Sequence, residues 1–169
     1  MWRTERLGWL ARRHHGLVSN VRVKVVAEEV TLPLRRAVLR PHMTIEELAA
    51  ARHHGEDVLW CAAYDDGGEV VGTGSVSRGS PPWAADEAGW RIRAMAVAPD
   101  RRGQGIGSAV LTALIEYVRQ HGGGLTWCNA RTAARGLYLR AGFAQVGDVV
   151  EIDEIGPHIA MARQVSPQM

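Results

Sequence analysis

The sequence predicts a single α/β domain, and three observations predict it. The chain has 169 residues, 46% apolar and 22% charged, which suits one folded domain with a core of its own. Apolar β-prone runs and helical stripes follow one another in the order β-α-α-β-β-β-α-β-α-β-β. Turn and cap residues punctuate the junctions, most sharply at the glycine-rich run 102–107. No internal repeat appears.

Residues 1–20 stand apart. They hold Arg3, Arg6, Arg12 and Arg13 against the single acid Glu5. Trp2, Trp9 and Leu10 would line one side of a short basic helix, as in a membrane-surface or targeting segment; a mobile tail, or a gene start placed ahead of the true one at Val21 or Val23, is the favoured reading. Regular patterning starts at Val21, where Val21, Val23 and Val25 alternate with Arg22 and Lys24 as in a half-buried strand. Thr31 reads as a cap and Pro33 as an early proline of a helix running to Arg40, which Pro41 stops. Thr44 and Glu47 form a capping box for a second helix ending near Gly55.

Residues 58–64 and 70–76 are strands, joined at Asp65-Asp66-Gly67-Gly68 as a hairpin. Residues 78–88, with Pro81 and Pro82, form a loop. Residues 90–97 are a strand. In the helix that follows, Val110, Leu111, Leu114, Ile115 and Val118 make a stripe of period about 3.6, and Gly122-Gly123-Gly124 end it. A strand at 125–129, a helix at 132–141 closed by Gly142, and strands at 143–152 and 159–163 complete the domain, which spans 21–165. Residues 166–169 are a loose end.

The net charge of +2 and pI near 8.8 point to an acidic partner such as nucleic acid, but the distribution does not. Residues 21–169 carry 16 basic and 17 acidic groups, so the excess lies in the first 20 residues. No run reaches the roughly 18 apolar residues of a membrane span, and no secretory signal pattern is present. Cys61 and Cys128 have no metal-ligand or redox spacing, which fits a reduced cytoplasmic chain. His14-His15 and His53-His54 lack the spacing of a helical metal pair, so no metal is expected. Trp60, Trp90 and Trp127 fall on strands, which favours core or cleft lining over base stacking.

The run Arg102-Gly-Gln-Gly-Ile-Gly107 lies between a strand and a helix. Its glycines let successive amides turn inward, and the helix adds its positive end. Arg101 and Arg102 add charge, so a phosphate or pyrophosphate is the expected ligand. Ser108-Ala109 stands where a Walker loop needs lysine before serine or threonine. Val110 spoils the third glycine of a dinucleotide fingerprint starting at Gly105, and the acidic ribose partner about 20 residues on is missing.

At this point the chain resembles the GNAT superfamily of N-acetyltransferases. Val97-Ala98-Pro99 followed by Arg102-Gly-Gln-Gly-Ile-Gly107 matches the V-x-P turn and R/Q-x-x-G-x-G/A motif. Ala134, Tyr138, Gly142 and Phe143 match a later A-x-x-x-Y-x-x-x-G-F pattern. The segments 34–41, 127–131 and Gly156-Pro157-His158 are similar to a bacterial subgroup with an L-R-x-x-V-L-R-P start and a G-P-H ending.

The resemblance implies a mixed, mostly antiparallel sheet flanked by helices, with a cleft between splayed central strands 90–97 and 125–129. Acetyl-CoA would be the co-substrate. Backbone of Met95, Ala96 and Val97 would meet pantetheine and the oxyanion, and Arg102, Gly103, Gln104, Gly105, Ile106, Gly107 and Ser108 would hold the pyrophosphate. Asn129 is a further contact, because Arg131 replaces an asparagine common in the family; Arg131 or Arg135 is an alternative ligand for a CoA phosphate. Tyr138 would protonate the leaving thiolate, its ordinary pKa of about 10 making the transfer nearly balanced; packing against Phe143 is its other reading. His158 is the candidate base, ordinary pKa about 6.5, with hydrogen bonding of its own turn as the alternative. Glu87 and Glu151 are weaker candidates. Arg93 either reads an acceptor carboxylate or joins a buried ion pair.

The function implied is transfer of acetyl to a primary amine of a small molecule or protein, with no membrane or specific nucleic-acid partner and with a homodimer as a possible state. A non-catalytic acyl-CoA sensor and a transferase for longer acyl groups are the rivals.

Overall fold

The computed structural model describes residues 21–51 and 57–169. The expectations for residues 1–20, for His53-His54 and for a helix end near Gly55 lie outside them. The described elements are β1 (Arg22–Val26), α1 (Glu28–Leu39), α2 (Ile45–Ala50), β2 (Leu59–Tyr64), β3 (Val70–Arg78), β4 (Gly89–Val97), α3 (Ile106–Gln120), β5 (Gly124–Arg131), α4 (Arg135–Arg140), β6 (Ala144–Ile152) and β7 (Gly156–Val165). The strands form one sheet in the order β1-β2-β3-β4-β5-β7-β6. Pairs β1/β2, β5/β7 and β6/β7 are antiparallel and β4/β5 is parallel. The expected mixed, mostly antiparallel sheet with flanking helices is present.

The chain divides into two compact units. The first contains β1, α1, α2 and β2, the start of β3 to Gly74, and Ala94–Ala113. In it β1 pairs with β2 from Arg22↔Tyr64 to Val26↔Trp60. Helix α1 begins three residues before the expected Thr31 cap. Glu28 and Glu29 occupy its first turn, where carboxylates suit the helix dipole. The Thr31 hydroxyl donates to the Glu28 carbonyl at 2.6 Å instead of capping. Pro33 therefore lies inside the helix, where it forfeits one bond near the N-terminal end. The Arg35 guanidinium sits 4.3 Å from the centre of the Trp60 ring and reaches Glu28 Oε1 at 3.2 Å.

The capping box forms as expected: the Glu47 amide donates to Thr44 Oγ1 at 3.1 Å, and the Thr44 amide donates to Glu47 Oε2 at 2.8 Å. The hairpin turn closes through the Gly68 amide on the Asp65 carbonyl at 3.1 Å and the Glu69 amide on Asp65 Oδ1 at 2.9 Å.

The second unit contains Ser75–Arg93 and Leu114–Met169. Strand β5 pairs with β7 in unbroken register from Gly124↔Val165 to Arg131↔His158. Trp90 and Trp127 are buried, as expected for strand tryptophans. Each indole N–H meets a carbonyl, Gly123 at 3.0 Å and Gly79 at 2.8 Å, so burial leaves no polar atom unmet there. The helix expected at 132–141 splits into a 3-10 turn (Thr132–Ala134) and α4.

Both thiols are free and buried, and burial pushes each up to about 12. The unfolded chain loses these protons first, so their contribution is whole below pH 9 and drains away as pH rises toward 12. We expect a loss of about 1 kcal/mol per thiol by pH 10, read as a falling midpoint in urea titrations from pH 8 to 10. A midpoint flat over that interval refutes it.

Candidate active site

In the first unit, the turn expected to hold pyrophosphate is built from the bottom of β3 and the top of α3. Gly72 makes room for Ile106: a Cβ there would lie 2.6 Å from Ile106 Cγ2. Ile106, buried, thereby seats the first turn of α3 against β3. The Ala98 amide donates to the Val71 carbonyl at 3.0 Å and fixes the entry to the turn. Gly103 and Gly105 have φ of +74° and +79°, left-handed values that a side chain opposes. The Ala109 amide is bonded to the Gly105 carbonyl at 3.0 Å, so helical bonding starts there. The amides at the start of such a helix have no intrahelical acceptor; here they belong to Ile106, Gly107 and Ser108, of which Gly107 and Ser108 are not buried.

The two arginines of the turn divide their roles. Arg101 Nη1 pairs with Asp65 Oδ2 at 3.0 Å and its Nε donates to Gln104 Oε1 at 3.2 Å. Its charge is committed to the hairpin, and the Glu69 amide, aided by Arg101, holds the Asp65 carboxyl below its ordinary range. Arg102 is exposed and is the one of the pair that offers its charge outward. The sequence reading put both on the phosphate; tertiary pairing with Asp65, 36 positions away, was not legible in it.

Met95 and Val97 are half-buried and Ala96 is buried. Ahead of them, Ala94 has φ of +55° in mid-strand, the conformation of a bulge that bends a strand and interrupts its ladder. The Thr73 hydroxyl donates to the Ala94 carbonyl at 2.9 Å. Sequence reasoning missed this kink; the signal was the polar run Thr73-Gly74-Ser75 in a buried strand. We expect Ala94→Gly to melt at or above the wild type, and Ala94→Val to lose about 2 kcal/mol. Equal melting temperatures for the two variants would rule out strain at this residue.

In the second unit, the parallel pairing of β4 with β5 runs from Gly89↔Leu125 to Arg91↔Trp127, while β5 continues to Arg131. Alternation and register sort its residues. Trp127, Asn129 and Arg131 share one face with their partners Ala162, Ala160 and His158; Cys128 and Ala130 share the other with Met161 and Ile159.

Tyr138 of α4 is buried and its phenol hydrogen-bonds Cys128, which places it on the Cys128 face. Burial, then Cys128, raises the phenol well above its ordinary value. The proton is held more tightly than the ordinary tyrosine value implies, so transfer to a thiolate is less balanced than expected from the sequence. The ring also meets Phe143 edge-on at 5.5 Å, which is the contact of the packing reading.

His158 stands on the opposite face of β5 and is buried. Its Nδ1 lies 2.9 Å from the Gly156 carbonyl. A carbonyl only accepts, so Nδ1 carries hydrogen and Nε2 of the neutral ring is the acceptor. The bond to its own turn thus orients the ring. Asn129 is exposed on the face of His158. Glu87 and Glu151 are both exposed, and Glu151 pairs with Pro157 at the start of β7.

The profile of the acetyltransferase (GNAT) family matches residues 25–143. A Bacillus subtilis (strain 168) protein described as "Uncharacterized N-acetyltransferase YitI" is 31% identical over 139 residues, which are 82% of this chain and 93% of that one. A phosphinothricin acetyltransferase from Sinorhizobium meliloti, solved in complex with acetyl-CoA, superposes with a TM-score of 0.67 at 17% identity, covering 86% of this chain and 89% of that one. A GCN5-related N-acetyltransferase from Kribbella flavida gives 0.66 at 20% identity, covering 85% and 97%. No described helix is long and apolar enough to cross a membrane. The chain belongs to the GNAT family of acetyltransferases and is an acyltransferase.

Proposed function

We propose that the acceptor is a primary amine, and that Tyr138 and His158 are the acid and base of the transfer. What supports this is that both groups lie at β5: the Tyr138 phenol hydrogen-bonds Cys128, and the Gly156 carbonyl orients the His158 ring so that Nε2 is its acceptor. Acetyl-CoA supplies the activated acetyl group. Met95, Ala96 and Val97 offer strand backbone to its pantetheine arm, with the Asn129 amide as a further contact. Arg102, Gly103, Gln104, Gly105, Ile106, Gly107 and Ser108 cradle the pyrophosphate through backbone amides, the helix end and one exposed guanidinium.

His158 Nε2 takes a proton from the acceptor ammonium and frees its lone pair. The C–N bond forms and the C–S bond breaks. Amides of residues 95–97 face the oxygen on which charge develops. The Tyr138 phenol gives its proton to the departing thiolate and is reprotonated afterwards. The nitrogen sheds two protons in all; one ends on the thiol and one is released.

Thiol release from acetyl-CoA across a panel of amines tests the reading. We expect at least one primary amine to raise the rate above hydrolysis, and His158→Gln to reduce that rise with a pH profile displaced to higher pH. Thiol release indifferent to every amine would overturn it.

A further inference from the structure

Strand β4 carries Arg91 and Arg93 on one face. They are two positions apart in sequence, and the kink at Ala94 comes after both, so alternation holds between them. The face is the one that holds Trp127: Arg91 is in register with Trp127, and its guanidinium lies 4.7 Å from the centre of that ring. By the β5/β7 register, Asn129 and His158 stand on the same face.

A cation in a partly dry strand is costly unless an anion joins it. Arg91 Nε is buried and has no hydrogen-bond partner. Among the described residues no carboxylate pairs with Arg91. Burial, helped by repulsion from Arg91, pushes the Arg93 guanidinium down to about 10, so the two charges sense one another. A guanidinium over a tryptophan ring can still offer its fork to a planar oxyanion. Trp83, exposed and edge-on to Trp127 at 5.5 Å, adds apolar surface beside them.

We propose that Arg91 and Arg93 form an anion anchor, and that the acceptor amine carries a carboxylate which they bind. This rests on the reading that the acceptor approaches the face that holds His158. The anchor orients the acceptor, and the pair sets specificity for acidic over neutral amines.

The test pairs each amino acid in a thiol-release panel with its carboxamide, including large apolar side chains for Trp83. The wild type should favour the acids by about 10- to 100-fold in kcat/KM. Arg91→Met and Arg93→Gln should erase that preference, mainly through KM for the acid, while the amides change little. The thermal shift produced by acetyl-CoA should be kept, which shows that the variants fold and bind it. Arg91→Met should also raise the melting temperature of the unliganded chain by about 2–4 °C, because it removes a half-buried charge that no carboxylate pairs. An arginine of purely structural use would give a lower melting temperature.

Equal turnover of acids and amides by the wild type, or equal loss on both in the variants, overturns the anchor and leaves amine transfer standing. If no amine releases thiol, amine transfer fails; the anchor is then read from thermal shifts by N-acetylglycine against N-acetylglycinamide. Equal shifts from the two compounds, or a preference that survives Arg91→Met, overturn it as well.

Discussion

Tyr138→Phe lowers kcat for acetyl transfer by about 10²–10⁴-fold, the range for loss of one positioned acid, with KM for acetyl-CoA nearly unchanged. The substitution removes one hydroxyl from a buried ring. The ring keeps its edge contact with Phe143 and its place in α4, so binding and folding survive while the proposed proton source is lost. Steady-state kinetics with thiol detection measures the first, and the acetyl-CoA-induced thermal shift the second. Burial raises the phenol above its ordinary value, so this group adds no alkaline limb to the wild-type rate below about pH 10. A variant with full turnover would remove Tyr138 from the chemistry and leave its packing role alone.

Gly123→Ala destabilises the fold far more than Gly122→Ala, although both residues have positive φ, +66° and +97°. At Gly122 an added Cβ meets nothing within 4 Å, so the change costs only left-handed strain, about 1 kcal/mol. At Gly123 the same atom would stand 2.4 Å from the Val165 carbonyl oxygen and 2.7 Å from the Pro167 nitrogen. Both are backbone and cannot rotate aside. The Gly123 amide is held by the Val118 carbonyl at 2.9 Å, and its own carbonyl takes the Trp90 indole. Strain and overpacking together give about 3 kcal/mol or more, a fall near 10 °C for a chain this size. Thermal melts followed by circular dichroism decide it. Variants that melt together would mean the end of β7 moves away freely.

Much of the fold was legible because its signals are local. The Thr44–Glu47 box, the Asp65–Gly68 turn and the apolar stripe of α3 each lie within one element. Strand alternation showed at Val21, Val23 and Val25. The start of α1 was misplaced because Thr31 and Pro33 carry strong local signals that the first-turn acids Glu28 and Glu29 outweigh. The helix after β5 was read as one element, while its first turn is 3-10.

The site divides along the same line. The glycine-rich turn could be proposed as an anion site from residue types and spacing, and its left-handed glycines before a helix fit that reading. The roles of Arg101 and Arg102 could not be told apart, because only the approach of Asp65 separates them. The kink at Ala94 left no mark at Ala94 itself. Its hydroxyl support comes from β3, and alanine carries no signal for a left-handed backbone.

By itself the sequence determined the order of elements, the family, and the glycine-rich turn, Tyr138 and His158 as candidates. The tertiary structure alone decided which face of β5 each residue serves. Tyr138 meets Cys128 on one side, while His158, Asn129, Arg91 and Arg93 share the other. The physical reason is that side-chain direction in a strand follows from parity and register, and register is set by pairing partners far away in the chain.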